Sequence, residues 1–194
     1  LNPWFKIWVC PKETLRAIKL YDPKFRFMTL SFIYGFLSML SICQTLSLGH
    51  FYSVSAILLA SIVLAIPLGY IMMSISSCLF LWTGKLFKGQ ARYVEIRAAI
   101  SWANVPSVVN IITWLILIAA HGARLFMADM GHVEPGFDLA DAMYIVQAVI
   151  AIWSVLILIL GVSEVQGFSG WRALGNFIVV TIIWFFIMMA IMYF

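Results

Sequence analysis

Long apolar runs alternate with short polar segments along the chain. Five of the runs are close to or beyond the roughly 20 residues that a bilayer-spanning helix needs. They lie at about residues 27–48, 54–81, 98–120, 142–162 and 172–193. The pattern therefore predicts an all-α, polytopic membrane protein with five transmembrane helices.

Two of these runs contain proline. The second run is long for one crossing and contains Pro67 and Gly69, so we expect it to be kinked or tilted, or to continue as a helix beyond the membrane. Pro106 lies a few residues inside the third run, which makes that helix a second candidate for a kink.

Small residues recur at every fourth position of the second run, at Ser61, Ala65 and Gly69. Such a stripe lets another helix approach closely. We assign it to helix packing, either inside the fold or in a dimer.

A polar arm, residues 1–26, precedes the first run. Its apolar residues Leu15 and Ile18 recur at helical spacing after Pro11, which is the pattern of an amphipathic helix lying in the membrane interface. The basic residues point elsewhere, and we expect them to bind either anionic lipid or a soluble protein partner: Lys12, Arg16 and Lys19. The chain thus divides into a cytoplasmic amphipathic arm, 1–26, and a five-helix transmembrane domain, 27–194.

The charged residues predict the orientation. Eleven of the 12 Lys and Arg residues lie in the arm, the second loop and the fourth loop, and Arg124 alone lies on the other side. The loop from His121 to Asp141 holds four of the eight acidic residues. Because basic loops stay in the cytoplasm, the N-terminus is predicted inside and the C-terminus outside.

Composition supports this class of protein. Apolar residues make up 64% of the chain, against about 45–50% in soluble domains. The three cysteines are scattered without a Cys-x-x-Cys pair, so we interpret them as small apolar residues. His121 and His132 share the outer loop with carboxylates, but their spacing matches no ligand signature, and we expect no metal site.

Ionisable residues do not occur in the cores of the five runs. Proton relays, ion pumps and intramembrane proteases need such groups at depth, so all three are disfavoured. The chain also has no HExxH, GxSxG or GxxxxGK[ST] pattern. We therefore expect neither enzymatic activity nor a cofactor.

Uncharged amides do occur within the runs, among them Asn104, Asn110 and Asn176. Amides in hydrocarbon usually hydrogen-bond to neighbouring helices, each contributing about 0.5–2 kcal/mol. Packing is our first interpretation of these three residues, and a wetted path through the membrane is the alternative.

The two inner loops place charges at the membrane interface, where screening by water is reduced. We expect Glu164 to pair with Arg172, or these two to pair with Arg97 and Glu95, closing the cytoplasmic end of the bundle. Binding of anionic lipid headgroups at Arg97 and Arg172 is the functional alternative.

Three segments together resemble the bacterial branch of the Yip1-domain family: "NPWFKIWVCPKETLRAIKLYDP", "GQARYVEIRAAISWANVP" and "EVQGFSGWRAL". The resemblance spans nearly the whole chain and implies five spans with a cytosolic N-terminus. Eukaryotic members are non-enzymatic proteins linked to small GTPases and vesicle trafficking. Their longer N-terminal region and Asp-Leu-Tyr-Gly-Pro motif do not occur here, so we expect no GTPase binding and a prokaryotic plasma-membrane protein.

The combined prediction is a non-enzymatic scaffold or adaptor of the Yip1-like type. Its basic cytoplasmic face would contact anionic headgroups and a protein partner or a second copy of the chain, but not nucleic acid. The alternative is a lipid or small-solute permease whose path is lined by Asn104, Asn110 and Asn176.

Overall fold

A computed structural model describes residues 2–127 and 138–193, with the backbone alone for 191–193. Its α-helices are α1 (Pro3–Val9), α2 (Pro11–Tyr21), α3 (Phe27–Thr45), α4 (Val54–Leu86), α5 (Tyr93–Ala103), α6 (Val108–His121), α7 (Leu139–Gln166) and α8 (Gly170–Tyr193). Short 3-10 turns occupy Leu48–His50, Val105–Ser107 and Gly122–Phe126. Asp129, His132 and Glu134, which belong to the loop predicted to lie outside, fall outside the described residues.

Five helical segments are long and apolar enough to cross a membrane, as predicted: Phe27–Thr45, Val54–Leu86, Tyr93–Phe126, Leu139–Gln166 and Gly170–Ala190. The all-α, five-span class is therefore confirmed. Helix α4 continues through Pro67 for 33 residues, about 50 Å at 1.5 Å per residue. This length exceeds the roughly 30 Å of hydrocarbon core, in agreement with the expected tilt or extension.

The third span differs from the prediction at its start. Helix α5 begins at Tyr93, about five residues before the predicted start, because Glu95 caps it: the backbone N–H of Arg92 donates to Glu95 Oε2 at 2.9 Å. This is one half of a capping box, which satisfies an N–H that would otherwise lack a partner. The span is then interrupted at Val105–Ser107, since Pro106 has no N–H to donate.

The chain forms two compact units. Unit 1 comprises Leu1–Phe27, Met73–Ala103 and Val155–Phe194; unit 2 comprises Met28–Met72 and Asn104–Ser154. Helices α4 and α7 therefore contribute residues to both.

Within unit 2, helices α3 and α4 cross at their glycines. A methyl group added to Gly69 would overlap the carbonyl oxygen of Ser31, and one added to Gly35 would overlap the carbonyl oxygen of Ala65. Ser61 and Ala65 of the same stripe are fully buried. The stripe of small residues thus packs inside the fold, one of the two arrangements expected for it.

An apolar cluster stabilises the rest of unit 2. Trp114 of α6 stacks on Phe126 with ring centroids 6.0 Å apart, and Leu40 and Leu117 are fully buried beside them. Gln44 donates to Tyr144 Oη at 2.8 Å and to the carbonyl oxygen of Leu125 at 3.2 Å. Amide hydrogen bonds of this kind link neighbouring helices in an apolar medium.

Within unit 1, the N-terminal arm forms two helices. Asn2 caps α1 by accepting from the backbone N–H of Trp4, and Pro11 begins α2, where its missing N–H is not needed. Leu15 and Ile18 of α2 are buried, and Leu15 fits against Gly161 of α7. The apolar face of the amphipathic helix therefore packs on protein, and other residues of the arm are left to face the surroundings.

Candidate functional site

Charge is divided unevenly between the two units. Unit 1 contains eleven Lys and Arg residues against four Asp and Glu residues, whereas unit 2 contains one against four. The structure describes all ten residues predicted as sites. The seven charged ones lie in unit 1, in helices α2, α5, α7 and α8. This basic unit is the candidate functional site.

Glu164 binds the arm. Its Oε1 accepts from Arg16 Nε at 2.7 Å, and this hydrogen bond raises the pKa of the Arg16 guanidinium above its ordinary value. The predicted pairing of Glu164 with Arg172 is therefore wrong. The reason is the helix face: Gly161, one turn before Glu164, receives Leu15, so the face of α7 that carries Glu164 meets α2.

Glu95 also pairs differently from the prediction. Its carboxylate lies 3.0 Å from Arg92 Nη2 and 3.6 Å from Lys19 Nζ, and only 5% of its side chain is exposed. A buried carboxylate is stable only when paired and hydrogen-bonded. Lys19 and Arg92 supply that compensation, so the arm is linked to α5 as well as to α7.

Arg97 is bound by aromatic rings. Its guanidinium carbon lies 4.1 Å from the ring centre of Phe27 and 5.6 Å from that of Tyr93. Cation–π contacts at these distances contribute about 0.5–2 kcal/mol. They hold the side chain beside the start of α3, and headgroup binding at Arg97 stays a prediction.

Five basic residues of unit 1 are exposed and form neither an ion pair nor a cation–π contact with any residue that the structure describes; Arg26, also exposed, is left out because it lies over the rings of Trp4 and Phe25. We call them the exposed basic set: Lys12, Lys24, Lys85, Lys88 and Arg172. Of the three basic residues predicted to face a partner, only Lys12 belongs to this set. Arg16 and Lys19 instead attach the arm to the rest of unit 1.

Sequence reasoning missed Gln166, the last residue of α7. Gln166 is 1% exposed; its Nε2 donates to the carbonyl oxygen of Phe80 at 3.2 Å, and its Oε1 accepts from the N–H of Ala91 at 3.3 Å. Its backbone carbonyl accepts from the N–H of Gln90 at 3.1 Å. Gln166 thus joins α4, the loop at 87–92 and α7. The sequence feature that could have pointed to Gln166 is its position directly before Gly167. This glycine follows the last residue of α7 and has a positive φ of 70°.

A family model for the Yip1 domain matches residues 5–192. The chain belongs to the Yip1-domain family. This family consists in general of non-enzymatic membrane proteins. No curated protein and no solved structure matches the chain. Membership of the bacterial branch stays a prediction.

The three segments that resemble the Yip1-domain family meet in unit 1. Trp4 of the arm contacts Trp102 edge to face at 5.8 Å, and Trp102 stacks on Phe25 at 6.0 Å. The ion pair between Arg16 and Glu164 joins the arm to the third segment. The family signature therefore describes a set of packing contacts between the arm, α5 and the end of α7.

The three amides have different surroundings. Asn176 is fully buried; it donates to the carbonyl oxygen of Phe80 and accepts from Thr83 Oγ1, all within unit 1. Asn110 Oδ1 is buried in unit 2 without a hydrogen-bond partner among the described residues. Asn104 lies at the break between α5 and α6. Asn176 thus has the packing role expected first, and a path along all three stays a prediction.

Metal-ligand chemistry has little support in the described part of the chain. Within residues 2–127 and 138–193, no group of three or more His, Cys, Asp or Glu side chains could hold a metal ion. The contacts described within unit 1 attach its segments to one another: ion pairs, cation–π contacts and amide hydrogen bonds.

Proposed function

We propose that this Yip1-domain protein is a non-enzymatic membrane scaffold that binds partners of negative charge through the exposed basic set. One observation carries the proposal. Three of the four acidic residues of unit 1, Glu13, Glu95 and Glu164, form ion pairs inside the unit. These three carboxylates therefore neutralise other Lys and Arg residues of unit 1. None of them forms an ion pair with the exposed basic set.

Uncompensated surface cations attract acidic partners and anionic lipid over several ångströms and raise association rates. By the positive-inside rule we place these residues and the N-terminus on the cytoplasmic side. The resemblance to the bacterial branch of the family favours a prokaryotic plasma membrane. A scaffold needs such a surface to be constant in shape. The ion pairs of Arg16 and Lys19 support this by attaching the arm, so that its position does not depend on the partner.

Reversing two charges of the exposed basic set tests the proposal. Lys85→Glu together with Arg172→Glu is expected to reduce recovery of a co-purifying acidic protein from membranes by at least about tenfold, because each site changes from attraction to repulsion. Recovery would be measured by quantitative mass spectrometry after mild detergent extraction. Both residues are exposed and unpaired among the described residues, so unfolding temperature should stay unchanged.

Arg124→Glu is the matched control, since Arg124 is the exposed basic residue of unit 2. It should leave recovery unchanged. Equal recovery from parent, double variant and control would contradict the scaffold proposal.

The permease alternative has a separate test. If a wetted path exists, Asn104→Leu should suppress the movement of fluorescent lipid or small solutes across liposomes that contain the purified protein. The scaffold proposal instead expects flux no greater than in protein-free liposomes. We prefer it because Asn176, one of the three amides of that path, is fully buried with its amide hydrogen-bonded.

A further inference from the structure

A cavity of about 500 Å³ lies within the N-terminal arm, between α1, α2 and the segment that leads into α3. Its apolar walls include Ala17, Ile18 and Phe25, and Lys6 contributes a cation. Ligand sites typically have volumes of about 300–1,000 Å³ and combine apolar walls with a few polar groups. The cavity therefore has the size and lining of a binding site for a molecule with an apolar and a polar part.

The charged group of the cavity is positive. No acidic residue is among the described residues that line it. Glu13 does not line the cavity, but its carboxylate lies 3.1 Å from Lys6 Nζ. The Glu13 side chain is 68% exposed. Water screens an ion pair this exposed and leaves it weak, so a better-placed anion can displace Glu13 from Lys6.

Further hydrogen-bond donors and a second cation surround Phe25, the residue at the end of the cavity nearest to α3. The guanidinium of Arg26 lies 5.4 Å from the ring centre of Phe25. Trp4 and Trp102, in ring contact with each other, have buried indole N–H groups without an acceptor among the described residues. Buried donors normally have acceptors. Neither the two indoles nor Arg26 lines the cavity itself. Arg26 adds positive charge next to its Phe25 end, and this charge favours an anionic ligand over a neutral one.

Chain connectivity places the cavity at the membrane surface. Phe25 lies two residues before Phe27, where the first membrane-spanning helix begins. The arm also exposes large apolar side chains, which water would penalise and the interface of a bilayer would accommodate: Phe5, Val9, Leu20 and Tyr21. The molecules that reach a cavity in this position most readily are membrane lipids.

We propose that this cavity binds one anionic phospholipid, with its phosphate on Lys6 and the beginning of its acyl chains on Ala17, Ile18 and Phe25. The site is distinct from the exposed basic set, because none of the five residues of that set lines it. The two proposals fail separately. A chain that binds this lipid but no acidic protein would overturn the scaffold proposal and leave the cavity as a lipid site.

The test measures lipid binding to the delipidated full chain in detergent by native mass spectrometry. The probes are dioleoylphosphatidylglycerol, dioleoylphosphatidylcholine with the same chains, and inorganic phosphate. Phosphatidylglycerol is expected to bind in a one-to-one complex. The other two should bind at least about tenfold more weakly, since one lacks net charge and the other lacks acyl chains.

Two variants that each remove one positive charge from the arm distinguish binding in the cavity from a general attraction of the arm to anionic lipid. Lys6→Gln should weaken phosphatidylglycerol binding about tenfold. Lys12→Gln, which removes the same charge from the same arm outside the cavity, should leave binding within about twofold. Glu13→Gln should strengthen binding, because it removes the competing anion of Lys6. Ala17→Phe should weaken binding by filling the cavity.

The proposal is overturned if Lys6→Gln and Lys12→Gln weaken binding equally, since the lipid would then respond to the charge of the whole arm. It is also overturned if the two lipids bind equally, or if inorganic phosphate binds as tightly as phosphatidylglycerol. Thermal unfolding of each variant shows that the protein remains folded. If Lys6→Gln unfolds the arm, the opposite responses expected of Glu13→Gln and Ala17→Phe decide the question.

Discussion

Gln166→Leu is expected to destabilise the protein by about 2–4 kcal/mol. The substitution removes both side-chain hydrogen bonds of a residue that is 1% exposed. It leaves the N–H of Ala91 without its acceptor, and each unsatisfied buried group costs about 1–3 kcal/mol. The carbonyl oxygen of Phe80 loses one of its two side-chain donors, and Asn176 still donates to it.

Leucine also cannot take the place of the amide in the space between two glycines. A methyl group added at Gly84 or Gly89 would already overlap the Gln166 side chain, so the volume there is filled and shaped to a planar amide. A branched side chain would have to displace the loop at 87–92. The loss should therefore exceed that of a simple hydrogen-bond deletion.

Gln90→Leu is the matched control, because the Gln90 side chain is exposed while its backbone N–H donates to Gln166. Unfolding would be followed by tryptophan fluorescence during denaturation in mixed micelles. The control should change the free energy of unfolding by less than about 0.5 kcal/mol. Equal effects of the two substitutions would mean that Gln166 is not the residue that joins these segments.

Gly69→Val is expected to have the largest effect on unit 2, with a loss of more than about 3 kcal/mol. A side chain at Gly69 would overlap the backbone carbonyl of Ser31. No rotamer can relieve that overlap, because the colliding atom is backbone. Helices α3 and α4 would have to separate, and the close contact of the small residues between them would be lost.

Gly170→Val is the control for Gly69→Val. Gly170 also lies in a helix, but nothing lies within 4 Å of a methyl group added there. The same denaturation assay should show a change of about 1 kcal/mol or less for this variant. If both variants unfold at the same denaturant concentration, the close crossing of α3 and α4 does not stabilise the fold.

Local patterns predicted much of the fold because the relevant physics acts along the chain. Apolar length identified all five spans, and Pro106 marked the break in the third. The stripe ending at Gly69 indicated a close helix contact, although the stripe alone could not show whether the partner was inside the fold. Helix α2 followed from Pro11 and the spacing of Leu15 and Ile18.

The charge pairs could not be predicted in the same way. Arg16 and Glu164 are 148 residues apart, so their contact depends on which face of α7 receives α2. Proximity along the chain favoured Arg172 as the partner of Glu164 and was misleading. Glu95 was assigned to an inner loop, whereas it lies in the first turn of α5 and is neutralised by Lys19 and Arg92.

Site-specific photo-cross-linking in intact membranes tests the scaffold proposal most directly. A photoreactive residue at Trp171, which is 83% exposed beside Arg172, is expected to form a protein adduct. The same residue at Phe51 of unit 2, which is 79% exposed, should not form that adduct.

Adding Arg172→Glu to the Trp171 variant should abolish the adduct, because a carboxylate then replaces the cation beside the probe and repels an acidic partner. A protein adduct that depends on Arg172 is the result that the scaffold proposal predicts. Cross-links from Trp171 to lipid alone, or a protein adduct of equal yield at both positions and with Arg172→Glu, would contradict it.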